Sequence, residues 1–401
     1  MNDFKNATRL SELRKAAVQC SKGLTYKASV SGYLLDNMCK SHRLRKEILA
    51  GKYRISKYMI FMITEPKLRR ICATRFRDRV WQKSMCNNGL RAQLLKSLIY
   101  DNGACQKDKG VDFAIDRMIC FLQRYFREHG TNEGFCDHLD IKGYFPNTPH
   151  SESKRIIREK VKDERIREHV FTIIDSFKDI RPEEEIKADP FGERGTALGS
   201  EISQLMQLAI PSHIDHAVKE RFRMKYYIRF NDDMWIISPD RTELKIVREY
   251  IISEYAKMGL EVVLKQKNTK LSQGVKFLKR RVILTDTGKV IVKADPKKFG
   301  KERRTLRKLK AKKDAGGTTM NKIREHYQSV RAGLMRCDDE VKVKNLDKFY
   351  EDLFGESPPE SKKKKKGTEK NAYCKSKRSN RERRGKKRSD GRGTQKAAGN
   401  D

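Results

Sequence analysis

Two adjacent acidic residues, Asp232 and Asp233, lie between apolar, strand-like runs in the segment Met224–Asp240. Neighbouring carboxylates repel each other unless a positive charge holds them, so such a pair at a hairpin tip suits a divalent cation. The alternative is a surface β-turn, because Asn and Asp are ordinary turn formers. Taken alone, the segment fits the turn better than the metal site.

A third carboxylate belongs to Asp140, at the end of the predicted strand Gly134–Ile141. Tyr144 and Phe145 follow it in a turn. An acid at a strand end can therefore share a cleft with an aromatic ring, although strands often end in Asp and both rings could belong to the core. An order of strand, helices and hairpin would bring Asp140 beside the Asp232–Asp233 pair.

The charge of the chain indicates a polyanionic partner. The 401 residues carry a net charge of +38, and residues 361–401 account for only +13 of it. The rest of the chain is therefore basic as well, which favours a nucleic-acid channel over a merely basic appendage. At this length, two or three lobes are expected.

The remaining composition favours the cytoplasm. Nine scattered cysteines include no CxxC pair, so neither zinc nor a disulfide framework is expected. No apolar run of about 18 residues and no signal-peptide pattern is present, so no membrane association is expected.

Periodicity predicts an α+β chain. Helical spacing covers residues 1–50, strands are expected at Ile55–Thr64 and after the turn Glu65-Pro66-Lys67, and one helix is expected over Phe76–Ser97. Arg181–Pro190 is interpreted as a flexible connection. A glycine-rich loop then leads into a helix, for which Ser200 or Ser203 could be the N-cap.

Six segments, in this order, resemble the motifs of reverse transcriptases over roughly residues 55–355. These are EPKLRRI, RFRDRV, HLDIKGYFPN, LGSEISQ, YIRFNDD and GVKFLKRR. Within the family, ACQKDKG and HYQSVRAG resemble bacterial retroelement enzymes of the group II intron and diversity-generating lineages. Gln204, where most relatives have Pro, resembles the diversity-generating form.

The resemblance implies a right-hand polymerase with fingers, an antiparallel palm with helices, and a helical thumb. The implied boundaries are an N-terminal helical extension at 1–54, fingers at 55–134, palm at 135–150 and 191–285, a helical connection at 151–190, a basic thumb at 286–355 and a disordered basic tail at 356–401.

Catalytic roles follow from the resemblance residue by residue. Asp140, Asp232 and Asp233 would be catalytic and bind two Mg²⁺ ions, with Mn²⁺ as a substitute, and Ile141 would add its backbone carbonyl. The implied nucleotide-binding residues are Lys67, Arg69, Phe145, Gly199 and Gln204, and the implied primer grip is Phe277 and Leu278.

Three positions depart from the family pattern. Phe230 and Asn231 replace the usual residues of the YxDD box, and Lys279 stands where Gly is common. The family's general-acid lysine falls near Lys267 or Asn268 and is not assigned.

The implied function is RNA-directed DNA synthesis from dNTPs on an RNA template with a primer. The implied partners are the template, the primer–cDNA duplex, and for a diversity-generating element a small accessory protein and a structured RNA. The alternatives are a non-catalytic RNA-binding or splicing-helper protein with the same fold, and an RNA-templated RNA polymerase.

Phe145 separates DNA from RNA synthesis, because the resemblance makes its ring the steric gate against a 2′-OH. We expect Phe145→Ala to raise ribonucleotide use relative to dNTP use on the order of tenfold, the usual scale for one lost pocket contact. Primer-extension assays with paired rNTP and dNTP titrations measure this ratio. An unchanged ratio would argue against a gate.

Overall fold

The computed structural model describes residues 2–64 and 68–360, which form two units. Among these residues, the first unit comprises those up to Val275 and Leu284–Lys289, and the second comprises Lys276–Ile283 and residues 290–360. Within the described residues, no helix is both long and apolar enough to cross a membrane.

The chain alternates helices with short strands, as the periodicity predicted. The α-helices are α1 Asp3–Ala7, α2 Leu10–Ser21, α3 Ala28–Leu35, α4 Asn37–Leu49, α5 Phe76–Met85, α6 Arg91–Leu95, α7 Val111–His129, α8 Tyr144–Asn147, α9 His150–Lys160, α10 Glu164–Asp175, α11 Glu183–Ala188, α12 Glu201–Ala209, α13 Ser212–His216, α14 Arg241–Lys257, α15 Pro296–Asp314, α16 Met320–Leu334 and α17 Glu340–Phe354. The strands are β1 Met59–Ile63, β2 Arg69–Ala73, β3 Phe135–Ile141, β4 Tyr226–Phe230, β5 Asp233–Ser238, β6 Val262–Lys270, β7 Val275–Phe277, β8 Arg280–Leu284 and β9 Val290–Ala294.

A four-stranded sheet in the order β4-β5-β3-β6 is the centre of the first unit, and its paired strands are antiparallel. Leu139 lies opposite Met234, and both are fully buried in the core. Side chains alternate across a strand, so the neighbouring Asp140 and Asp233 face the other side of the sheet. Burial of one face thereby directs the two acids to the same surface.

A buried ion pair fastens α14 to the sheet. The Asp137 carboxylate, on β3, accepts a hydrogen bond from Arg248 Nη1 at 2.5 Å, and its other oxygen accepts one from the Asn268 backbone N–H at 2.7 Å. Asp137 is fully buried and Arg248 nearly so. One carboxylate thus connects the strands β3 and β6 to the helix that covers them.

The helical character predicted for the first fifty residues is confirmed by α1–α4. Helices α1, α2 and α3 pack with α5, whose Trp81 is completely buried, and α4 packs with α2. The N-terminus is also attached to α10, because the Phe4 backbone N–H donates to Asp163 Oδ2 at 2.9 Å.

The β1–β2 hairpin confirms the two strands expected on either side of the proline turn. Ile63 pairs with Arg69, and every residue of β1 is exposed. The turn itself, including Lys67, lies outside the described residues.

Three predictions were wrong. The single helix over 76–97 is interrupted at Asn88 and Gly89, whose backbone angles are non-helical. The connection predicted as flexible contains α11, and Arg181 binds Asp179 and Asp189 beside it. The tail was predicted to be disordered from residue 356, yet the Glu356 carboxylate accepts hydrogen bonds from Tyr350 and Arg324. Residues 361–401 lie outside the described part.

The second unit combines the sheet β7-β8-β9 with the helices α15, α16 and α17. Tyr327 and Tyr350 stack with ring centroids 4.5 Å apart, and Asp347 accepts a hydrogen bond from the Tyr327 hydroxyl at 2.8 Å. Helix α15 carries a dense series of Lys and Arg, as predicted for this basic helical segment.

Asp137→Ala removes the partner of a buried guanidinium, and we expect it to lower the free energy of unfolding by about 3–5 kcal/mol. The control is Glu261→Ala, because the Lys142–Glu261 pair is 61% and 63% exposed and should contribute less than about 1 kcal/mol. Urea unfolding measures both values. Equal losses would contradict a specific role for the buried pair.

Candidate active site

Three carboxylates converge at one end of the central sheet. Asp140 and Asp233 are direct partners on β3 and β5, and Asp232 lies in the turn that precedes β5. One oxygen from each carboxylate lies within 4.8 Å of the others. The pairing of β3 with β5 therefore brings together Asp140 and the Asp232–Asp233 pair, which are about ninety residues apart in the sequence.

The turn that carries Asp232 is tight. Phe230 pairs with Asp233, so only Asn231 and Asp232 connect the strands, and Asn231 has a φ of 59°. Asn tolerates this left-handed conformation better than most residues. The Asp232 carbonyl accepts a hydrogen bond from the Ile141 N–H at 3.1 Å, which attaches the turn to β3. The segment from Phe230 to Asp233 is thus both a β-turn and the carrier of two of the three predicted acids.

Arg229 supports this turn from the buried core. It is fully buried, and its Nε donates to both oxygens of the buried Asp215, at 3.0 and 2.8 Å. Its Nη1 donates to the Asn231 carbonyl at 3.1 Å, and its Nη2 donates to the Leu208 carbonyl at 2.6 Å. The hairpin is therefore positioned against α12 and α13. This role was not predicted from the sequence, although an Arg inside the apolar run YYIRF is a usable signal for a buried ion pair.

Lys265 supplies a cation to the acids. Its Nζ lies 2.5 Å from Asp140 Oδ1 and 3.1 Å from Asp233 Oδ1. Strand β6 is irregular here, since His138 pairs with Gln266 while Leu139 pairs with Leu264, which leaves Lys265 as the extra residue. Val263 pairs with Asp140, so Lys265, two residues further along the strand, lies on the same face of the sheet as the acids. The family's general-acid lysine was expected two or three residues later, near Lys267 or Asn268.

His138 supports Asp233 from the same face of the sheet. Its Nε2 donates to Asp233 Oδ1 at 2.7 Å, and its ring stacks on Trp235 with centroids 4.4 Å apart. The stacked, nearly buried ring fixes the direction of this hydrogen bond. His138 lies two residues before Asp140 and was also missed.

The three acids differ electrostatically. Burial raises the pKa of Asp232, and the charge of Asp233 raises it further. Burial also raises the pKa of Asp140, against the opposing ammonium of Lys265. For Asp233, the effect of burial is outweighed by the hydrogen bond from His138 and the charge of Lys265, so its pKa is lowered. The three carboxylates thus lie close together in a partly buried place, where their negative charges are unfavourable without a cation.

The glycine loop leads into α12 without the predicted side-chain cap. Ser200 occupies the N-cap position, but its hydroxyl donates to Gln82 Oε1 at 3.1 Å and accepts no hydrogen bond from the backbone N–H groups of the helix. Gly199 has a φ of 108° with open space around the position of a Cβ, and Gln204 lies half-buried on α12. The loop therefore leaves its backbone accessible at Gly199.

Phe145 lies next to this loop. Its carbonyl accepts a hydrogen bond from the Thr196 N–H at 2.9 Å, and its side chain is partly exposed. The segment after Asp140 is thereby joined to the segment before Gly199.

The other expected site residues lie elsewhere. Arg69 is exposed on the β1–β2 hairpin. Phe277 is fully buried in the second unit, and Leu278 and Lys279 form the β7–β8 turn with φ values of 45° and 62°. Lys279 thus adopts a conformation that Gly would adopt more easily, in line with the glycine common there in the family. The roles of these residues remain predictions.

The acid cluster suits a hard divalent cation. Carboxylate oxygens are the donors that Mg²⁺ prefers, and the three in this cluster are close enough to share ions. Lys265 already brings positive charge to two of them. Among residues 2–64 and 68–360, this is the one cluster of acidic, His or Cys side chains with metal-binding spacing.

Solved structures of telomerase are similar to the chain. Telomerase from Candida albicans with the TWJ fragment of telomeric RNA matches with a TM-score of 0.44 and 12% identity, over 79% of this chain and 61% of that chain. Apo telomerase from Candida tropicalis matches with a TM-score of 0.45 and 13% identity, over 75% and 60%. A form of the latter truncated from the C-terminal domain gives 0.42 and 14%, over 65% and 60%.

The chain therefore spans about three fifths of the length of these telomerase chains. No protein-family model and no curated protein sequence matches it. TM-scores of this size carry no conclusion about function, which has to rest on the site itself.

Asn231 can be tested by its backbone conformation. We expect Asn231→Ala to lower the free energy of unfolding by about 1 kcal/mol, because Ala disfavours the left-handed region. Asn231→Gly should lose less, since Gly adopts this conformation without steric cost. Urea denaturation of both variants and the parent measures the difference. An Ala variant as stable as the Gly variant would contradict the requirement at this turn.

Proposed function

We propose that the chain is an RNA-directed DNA polymerase, a reverse transcriptase that copies an RNA template into cDNA from dNTPs. The observation that carries this proposal is the meeting of Asp140, Asp232 and Asp233, with one oxygen of each within 4.8 Å of the others. The motif resemblance independently selected the same three acids. The strand pairing and the family motifs point to the same three acids, which supports a site for nucleotidyl transfer and not merely a surface turn.

Asp140, Asp232 and Asp233 would hold two Mg²⁺ ions, and Ile141 would add its backbone carbonyl. Bound there, the ions would activate the primer 3′-oxygen and stabilise charge during phosphoryl transfer. The protein's own part is to keep the carboxylates in register. Arg229 does so through the Asn231 carbonyl, and His138 does so through Asp233.

The nucleotide would lie against Phe145, Gly199 and Gln204. The hydrogen bond from Thr196 to the Phe145 carbonyl supports a common surface for the ring and the glycine loop. Lys67 and Arg69 would bind the triphosphate, because Arg presents paired donors that match phosphate oxygens.

The right-hand layout belongs to the same proposal. The β1–β2 region would be the fingers, the four-stranded sheet the palm and α15–α17 the thumb, with Phe277 and Leu278 as the primer grip. The basic surface of α15 supports contact with duplex phosphates. Binding of this kind weakens steeply as salt rises.

Origin in a bacterial retroelement is the finer part of the proposal. It rests on ACQKDKG, HYQSVRAG and Gln204, which resemble the group II intron and diversity-generating lineages. A structured RNA and a small accessory protein would then be partners, and the cytoplasm would be the site of action. Paired template and variable repeats in the neighbouring DNA would identify the diversity-generating type, whereas intron boundaries would identify the other.

Asp232→Asn tests the proposed chemistry. We expect it to abolish dNTP incorporation on a primed RNA template while leaving RNA affinity nearly intact, because the substitution removes a metal ligand from the acid cluster. Primer extension measures synthesis, and fluorescence anisotropy measures binding. The control is Asp286→Asn in the β8–β9 turn, which removes the same charge outside the acid cluster.

Full synthesis by Asp232→Asn would refute the metal assignment. Absence of synthesis by the parent on every primed RNA template, with RNA bound equally well in Mg²⁺ and in EDTA, would favour the non-catalytic RNA-binding alternative instead.

A further inference from the structure

Lys265 brings positive charge to two of the proposed metal ligands. Its ammonium lies 2.5 Å from Asp140 Oδ1 and 3.1 Å from Asp233 Oδ1, which are hydrogen-bonding distances. Oxygens of both carboxylates that would bind a divalent ion are therefore also acceptors for this side chain. A ligand oxygen engaged by an ammonium is less available to a metal.

The position of Lys265 is built into the backbone. The register of β3 with β6 advances by two residues on β6 between His138 and Leu139, and Lys265 is the residue left over. The next residues are anchored in turn, because the Asn268 N–H donates to the buried Asp137. Lys265 also lies two residues from Val263, the partner of Asp140, so strand alternation places its side chain on the acid face of the sheet.

The Lys265 side chain can nevertheless move away from the two carboxylates into the solvent. Its side chain is 43% exposed, whereas those of Asp140 and Asp233 are 18% and 24% exposed. A lysine has a flexible four-carbon stem and regains full hydration when its head group moves into water. A divalent ion carries twice its charge and offers more coordination positions to the same oxygens.

We propose that Lys265 is a resident counter-cation of the acid cluster, which neutralises Asp140 and Asp233 before divalent ions bind and withdraws when they do. The inference rests on the proposed function, because it takes these carboxylates as metal ligands. It makes Lys265 a positioning residue that keeps repelling carboxylates together and sets the concentration at which metal binds.

The first test measures metal affinity without nucleotide or template. We expect Lys265→Gln to bind Mn²⁺ on the order of tenfold more tightly than the parent, because a competing charge within hydrogen-bonding distance is removed. Lys265→Arg, which keeps the charge, should bind like the parent. Lys267→Gln is the matched control for loss of one positive charge on the same strand. Titration of free Mn²⁺ by electron paramagnetic resonance gives the dissociation constants.

The second test measures thermal unfolding of the same variants. In EDTA, Lys265→Gln should unfold a few degrees below the parent, since the carboxylates then repel each other. Saturating Mn²⁺ should remove this deficit. A merely structural ion pair would give the same deficit in both conditions and no gain in affinity, and that result would overturn the inference.

Asp140→Asn separates failure of the inference from failure of the proposed function. If Mn²⁺ binding by the parent is unaffected by Asp140→Asn, the metal site itself is wrong and both proposals fall. If Asp140→Asn weakens binding but Lys265→Gln binds no more tightly than Lys267→Gln, only the counter-cation is wrong.

Discussion

Repulsion among three carboxylates is the constraint on which the rest of the structure depends. Asp140, Asp232 and Asp233 meet at one sheet end, where burial increases the cost of their charge. The surrounding side chains stabilise the carboxylates with positive charge and hydrogen bonds. Lys265 contacts two of the acids, and His138 donates to one of them. A site built in this way is prepared for cations.

A second, buried charge pair provides the rigidity that the acids need. Arg229 and Asp215 are both fully buried, and the remaining donors of Arg229 reach the Asn231 and Leu208 carbonyls. Hydrogen bonds from all three guanidinium nitrogens offset the desolvation of Arg229, while loss of Asp215 would leave an unpaired charge in the core. The hairpin turn is thus attached to the helices α12 and α13. The buried pair of Asp137 and Arg248 likewise connects the strands β3 and β6 to helix α14.

Much of the local structure followed from pattern. Apolar, strand-like runs predicted the strands on either side of Asp232, and helical spacing predicted α1–α4. The failures have different causes. Asn88 and Gly89 leave the helical region of the backbone, and Arg181 orders a segment that resembled a loop by binding acids two and eight residues away. Only at Ser200 does a partner distant in sequence, Gln82, bind the hydroxyl that could have capped the helix.

The sequence by itself determined the three acids, the strands that carry them and the basic character of the chain, because side-chain chemistry and periodicity are local properties. Only the tertiary structure decided that Lys265 reaches Asp140, since the register of β3 with β6 places Val263 opposite Asp140 and Lys265 two residues away on the same face. It likewise decided that Arg229 supports the turn from within the core. Strand register and burial are properties of paired segments, so they cannot be obtained from either segment alone.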